Sequence, residues 1–183
     1  MPNTLQPEHL KNEQVSLLPL KEGDYEDLYA VASDPLIWEQ HPNPNRYKKE
    51  IFLNYFNGAI ESKGAFLIKD STTNQTIGCT RFYRLDLADK SMHIGYTFFA
   101  RSCWGKSFNS STKKLMLDHA FTMVDKVIFH IGAHNMRSRK AIEKLGAELI
   151  EQKTVAYHGE LPTPNCVYII RKKDWILING ENL

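Results

Sequence analysis

Cysteine is scarce: Cys79, Cys103 and Cys166 are the only three in 183 residues, an odd number set far apart. None stands at the short spacing of a metal-ligand pair, which argues against a structural zinc site, and such a set builds no disulfide framework. It suits a reducing, cytoplasmic compartment. No apolar run approaches the length of a bilayer crossing, so no membrane partner is expected. Neither sign of charge dominates. The 23 Lys and Arg nearly balance 21 Asp and Glu, without the basic stripe that nucleic acid requires. The N-terminus has no basic segment followed by an apolar core, so no signal peptide is expected. Repeats, low-complexity stretches and linkers are also missing, and the length suits a single domain over residues 1–183.

What is present is a regular alternation of strand and helix patterns. Residues 1–13 are polar with two prolines and read as a loose arm. A short apolar strand over Val15 to Leu20 follows, then a helix capped by Asp24 with Leu28, Val31 and Ala32 on one face. Ser33-Asp34-Pro35 stops it. A second helix, about Arg46 to Ser62, carries Ile51, Phe52, Tyr55, Phe56, Ala59 and Ile60 on its apolar side. Strands over Ala65 to Lys69, Thr76 to Leu85 and Ser91 to Ala100 are joined by short polar turns, which predicts an antiparallel meander. A helix from Phe108 to Val124, a strand from Val127 to Gly132, a helix from Asn135 to Leu145 and strands over Ala147 to Tyr157 and Val167 to Lys172 complete the order. This is an α+β pattern: one mixed, mostly antiparallel sheet with helices on both faces.

Ser91 to Phe108 carries the most chemical information. It reads as an alternating strand that runs into a glycine-containing turn and opens a helix. Gly105 lets the backbone approach a ligand closely, and the amides from Lys106 to Asn109 begin the helix without intrahelical partners. An anion supplies those partners, and the helix dipole favours it. Two families own such a turn. Ala100 to Ser107 fits a relaxed P-loop with alanine at the first glycine, which would make the chain a nucleotide-binding enzyme. Against that, the strand Val127 to Gly132 ends without the aspartate that holds magnesium, and the strand before the turn belongs to an antiparallel run.

The second resemblance is broader, from Val15 to Trp175, and is to the GNAT acetyltransferases, closest to the branch of ribosomal-protein N-terminal acetyltransferases. Leu18-Pro19-Leu20, Asp24, Ser33-Asp34-Pro35 and Trp38 resemble that branch's first strand and helix. Ile77-Gly78 and Ile94-Gly95-Tyr96 resemble its third and fourth strands, and Trp104-Gly105-Lys106 its coenzyme loop. Asn135 with Ser138 resembles its next helix, and Tyr168, Arg171 and Trp175 its closing strand. The loop departs from the family pattern at two places, with Ser102 at the Gln/Arg position and Ser107 at the second glycine. The resemblance implies an acetyl-CoA-dependent enzyme, a monomer or homodimer, that acetylates an amine acceptor. A protein N-terminus is the leading acceptor and a small amine the other. A catalytically weak module that binds coenzyme A as a sensor or scaffold is the non-enzymatic alternative.

Such a transfer needs a neutral amine and a protonated leaving sulfur. Ser138 lies three, four and seven residues before Ala141, Ile142 and Leu145, so it shares their buried face, and the resemblance places it near that sulfur. Asn135 suits the N-cap of the same helix, and the resemblance adds a contact to the pantetheine arm or a catalytic water. His93 alternates along its strand and is placed on one face with Gly95, Thr97 and Phe99. Relatives carry a glutamate base there, and histidine performs the same task near neutral pH. His130 and His134 are further bases, and Tyr157 an alternative acid. The resemblance assigns the coenzyme to Phe98, Phe99, Ala100, the loop residues Ser102, Cys103, Trp104, Gly105, Lys106 and Ser107, then Asn109, Asn135, Ser138 and Lys140. Arg139 and Lys140, on the far side of that helix, are placed either for the nucleotide's phosphates or as a solvated face. Trp38, His41, Tyr83 and Tyr157 surround the expected acceptor side.

Overall fold

A computed structural model of the chain describes residues 5–156 and 161–180. The strands are β1 (Leu10–Lys11), β2 (Val15–Pro19), β3 (Ala65–Asp70), β4 (Thr76–Asp86), β5 (Ser91–Phe99), β6 (Lys126–Gly132), β7 (Glu148–Val155) and β8 (Thr163–Arg171). The helices are α1 (Tyr25–Ala32), α2 (Lys49–Glu61), α3 (Phe108–Ala120), α4 (Met136–Glu143) and α5 (Lys172–Asn179). The strands form one eight-stranded sheet in the order β1-β2-β3-β4-β5-β6-β8-β7. Every neighbouring pair is antiparallel except β5 with β6, which is parallel.

The sheet is sandwiched because β3 is apolar on both faces. Phe66 and Ile68 pack with Met116, Leu117 and Ala120 of α3, while Ala65 and Leu67 pack with Phe52, Tyr55, Phe56 and Ala59 of α2. The α2 residues recur at i, i+3, i+4 and i+7, the stripe a half-buried helix needs. Trp175 of α5 and Ile142 of α4 join the α3 side. The expected meander β3–β5 and the mixed sheet with helices on both faces are what the fold contains.

Three readings of the chain are corrected. The segment expected to be a loose arm is held to the sheet from Leu5 onward. Leu10–Lys11 pairs with β2, Gln6 donates through its side-chain amide to the Ala65 carbonyl, and Leu5 packs against the core. α3 stops at Ala120 instead of Val124, as the Thr122 hydroxyl donates to the His119 carbonyl at 2.7 Å and the chain turns toward β6. Trp175 sits on an unforeseen helix, α5, and not on a closing strand; its indole N–H donates to Asp118 at 2.8 Å.

Candidate active site

The site begins where the sheet opens. β5 and β6 pair only over Ser91–Lys126, Met92–Val127 and His93–Ile128. Beyond His93 they diverge, and a cleft of about 1100 Å³ lies between the freed halves, lined by Ile94–Phe99 on one side and Phe129–Gly132 on the other. A strand freed from its neighbour exposes unpaired N–H and C=O groups, which a ligand's amides can satisfy.

A bulge re-aims β5 at this opening. Tyr96 and Thr97 together oppose Thr80, and Tyr96 takes a φ of +52°. A bulky residue in that region is an outlier that neighbours must enforce. Here the Tyr55 hydroxyl donates to the Tyr96 carbonyl at 2.7 Å, and the Arg81 guanidinium lies 4.0 Å from the Tyr96 ring centre. Gly95 leaves room beside it for the Tyr83 ring, which a Cβ there would crowd at 3.0 Å. The bulge corrects the expected alternation. His93, Gly95, Tyr96 and Phe98 face the α1–α2 side, whereas Thr97 and Phe99 face α3.

After Phe99 the chain makes a 3-10 turn over Arg101–Cys103, anchored by an ion pair from Arg101 to Asp34, and reaches Gly105 at φ +72°. Cys103, Trp104, Gly105, Lys106, Ser107 and Asn109 line the cleft, as do Phe98 and Phe99. Ala100 and Ser102, expected to join them, instead border a shallower depression beside Asp34, turned outward by the 3-10 turn; the Ala100 amide is taken by the Ile77 carbonyl at 2.8 Å. The Ser107 hydroxyl accepts from the Gln14 side chain at 3.0 Å, tying the loop to the start of β2. Burial raises the Cys103 thiol pKa, so it is no thiolate nucleophile.

The opposite wall is α4. The Asn135 side chain accepts from the Ser138 amide at 3.1 Å, capping the helix and directing its first turn toward the cleft. Ser138, Ala141, Ile142 and Leu145 all line the cleft, so the face they share borders the opening. Among the described residues the Ser138 hydroxyl has no hydrogen-bond partner. Lys140 lines the cleft, but Arg139 turns inward to the Tyr168 hydroxyl and the Ala133 carbonyl, at 2.9 and 3.0 Å, and is corrected from a phosphate ligand to a structural tie. Arg137, missed in the sequence, stacks 3.6 Å from the Trp104 ring centre and pairs with Glu39 at 2.6 Å, so the loop and α4 are strapped together.

On the side expected to hold the acceptor, Trp38, His41 and Tyr83 line the cleft together with Arg46, a second residue sequence reasoning missed. The Trp38 indole donates to the Ala32 carbonyl at 2.8 Å, and Arg46 approaches His41 at 3.1 Å. Burial and the Arg46 charge hold His41 well below the usual histidine range, so it is neutral at neutral pH. Tyr157 lies outside the described residues. His93 stands behind the wall: its ring is 4.8 Å from His130 and 5.0 Å from Tyr83, which do line the cleft. Burial first, then the neighbouring His130, Arg84 and Lys153, brings the His93 pKa down to about 4. His130 is lowered to about 4 as well, again chiefly by burial.

The charged side chains lining the cleft are Arg46, Lys106, Lys113, Arg137, Lys140 and Lys144; no Asp or Glu among the described residues joins them. A large cleft with an open strand edge, a helix start and only cations fits an extended anionic cofactor carrying amides and phosphates. The antiparallel pairing of β4 with β5 is unlike the strand that leads into a P-loop.

Solved acetyltransferases share this fold. A GCN5-related N-acetyltransferase from Brucella melitensis superposes with a TM-score of 0.79 at 16% identity, over 96% of this chain and 86% of that one. RimJ from Mycobacterium smegmatis, solved with CoA-disulfide, gives 0.70 at 14% identity over 94% and 93%. Spermidine N-acetyltransferase from Vibrio cholerae, solved with CoA and spermine, gives 0.68 at 17% identity over 90% and 99%. A search of curated protein sequences finds no significant match. No helix among the described residues is long and apolar enough to cross a membrane. Residues 14–148 match the family model of the acetyltransferase (GNAT) domain, and the chain therefore belongs to the GNAT acetyltransferases.

Proposed function

We propose that this acetyltransferase binds acetyl-CoA in the β5–β6 cleft and passes the acetyl group directly to a primary amine, with a protein N-terminus as the favoured acceptor. The observation that carries the reading is the run from the open edge of β5, through the Gly105 turn, into the start of α3. The strand edge suits a pantetheine arm and the helix start a pyrophosphate. Acetyl-CoA, when bound, supplies an activated thioester. The chain's own groups position it and move protons. Asn135 holds the first turn of α4, Ser138 gives a proton to the departing sulfur, and neutral His93, acting through water, receives the proton from the amine.

Two features support the acceptor. The sequence resembles the N-terminal acetyltransferase branch at Leu18-Pro19-Leu20, Ser33-Asp34-Pro35 and Trp38. The cleft also lacks acidic lining among the described residues, whereas Arg46 would repel a polycation such as spermidine. Release of coenzyme A across N-terminal peptides, amino acids and spermidine, set beside calorimetric binding of acetyl-CoA, tests this. Turnover with peptides is the expected outcome. Preference for spermidine overturns the acceptor, and tight binding without turnover on any amine identifies a sensor.

His93→Gln is expected to lower turnover at pH 7 while acetyl-CoA affinity is unchanged. With its pKa near 4, His93 is neutral across the physiological range, so its acid limb in the rate profile lies near pH 4 and is lost in the variant. Unchanged turnover and profile return His93 to a packing role.

A further inference from the structure

Lysine is seldom buried without an acidic partner, because desolvating an ammonium is costly. Lys113 is only 5% exposed and shares the inward stripe of α3 with Met116, Leu117 and Ala120. Its ammonium nitrogen reaches the Thr97 hydroxyl at 2.6 Å and the Thr80 hydroxyl at 3.4 Å, at the bulge where β5 bends into the cleft. No carboxylate among the described residues pairs with it. The groups that face it are the two threonines and Cys79 from β4 and β5; Asn109 and Ser110 stand one turn earlier on the same face of α3, and the cations Lys106, Lys140 and Lys144 line the cleft beyond. Cys79 is itself kept as a neutral thiol by burial. Lys113 nevertheless lines the cleft, between the Gly105 turn and the open strand edge.

An uncompensated amine beneath a channel for an anion has a definite consequence. We propose that Lys113 is a coenzyme ligand that takes up a proton as acetyl-CoA enters, its ammonium becoming the counter-charge beneath the anionic cofactor. This rests on the coenzyme reading above. In the free protein, burial brings the Lys113 pKa down to about 7, so at pH 8 the amine is mostly neutral. A nearby anion favours the charged form, and linkage makes the preference mutual: protonation strengthens coenzyme binding, and binding strengthens protonation. The threonine hydroxyls turn their lone pairs to the ammonium, which therefore stays in place while its charge changes.

The sign follows directly. Below pH 7 Lys113 is already charged and binding takes up no proton there. Above pH 7 each binding event must recruit one, so affinity falls as pH rises, by up to about tenfold per pH unit. Titrating acetyl-CoA into the protein at pH 8, in two buffers of different ionisation enthalpy, counts the protons taken up. The intact protein is expected to take up about one more proton per coenzyme than Lys113→Met. Lys113→Met should also bind more weakly at pH 7 and lose the decline between pH 7 and 9. Lys113→Arg keeps a permanent charge, so it is expected to bind with neither uptake nor decline. The coenzyme's own phosphates contribute equally to all three. Equal proton uptake and equal pH slopes in the intact protein and Lys113→Met overturn the proposal while leaving the coenzyme reading standing. Absence of binding in the intact protein overturns both. If Lys113→Met does not fold, Lys113→Gln gives the same comparison.

Discussion

Gly105→Pro is expected to abolish acetyl-CoA binding while the domain remains folded. The reason is conformational, not steric: a Cβ at Gly105 would meet nothing within 4 Å, but φ there is +72°. Proline holds φ near −65° and has no amide, so the turn must open and one donor disappears. Trp104 already has the extended backbone that proline demands of its predecessor, with ψ at 146°, so the conflict falls on residue 105 alone. Opening the turn also moves Trp104, whose indole donates to the Phe99 carbonyl at 3.2 Å and whose ring carries Arg137. Coenzyme loop and α4 would then separate. Gly105→Ala keeps the amide and costs about 1–2 kcal/mol in the left-handed region, so it should retain measurable binding. Lys106→Ala removes a charge but no amide and should weaken binding only modestly. Calorimetry measures affinity, and far-UV circular dichroism checks the fold. Loss of binding in Lys106→Ala, with ATP preferred over acetyl-CoA, would overturn the amide-based site in favour of a nucleotide loop.

Local pattern carries the fold further than it carries the site. The meander was legible because β3 to β5 alternate between short polar turns, and α2 because its apolar residues recur at helical spacing. The Gly105 turn was legible as a turn because a glycine between a strand and a helix tolerates the positive φ, here +72°, that larger residues resist. The bulge was not. Nothing near Tyr96 in sequence calls for a positive φ; Tyr55 and Arg81 impose it from other elements. With one extra residue in β5, Thr97 and Phe99 lie on the face opposite His93, which alternation had placed beside them, and His93 stands behind His130. α5 was hidden because Trp175-Ile176-Leu177-Ile178 is as apolar as a strand, yet only Trp175 is buried. Lys113 had a readable signal, a lysine on the stripe that continues to Met116, Leu117 and Ala120, but exposed lysines are so common that the stripe alone singles out nothing.

Ser138→Ala is expected to lower turnover by about a hundredfold or more, the range typical for a lost, positioned general acid. The substitution removes one hydroxyl and little volume from a half-buried position, and that hydroxyl bonds to nothing among the described residues, so the melting temperature should barely change. The backbone amide that Asn135 caps is untouched, which keeps the first turn of α4 in place. Acetyl-CoA affinity should also survive, because the proton is needed as the bond to sulfur breaks and not while the thioester is intact. Asn135→Ala differs in kind. It removes the cap, costing about 1 kcal/mol of stability, and lets the same turn drift. If Asn135 acts by positioning Ser138, the double variant loses less than the product of the two single losses. Steady-state rates at saturating coenzyme and acceptor, measured for all four proteins, give that comparison. Independent losses that multiply would mean that Asn135 serves another step. Equal turnover for Ser138→Ala and the intact protein would remove Ser138 as the acid and transfer the role to Tyr157, where Tyr157→Phe is the next variant to measure.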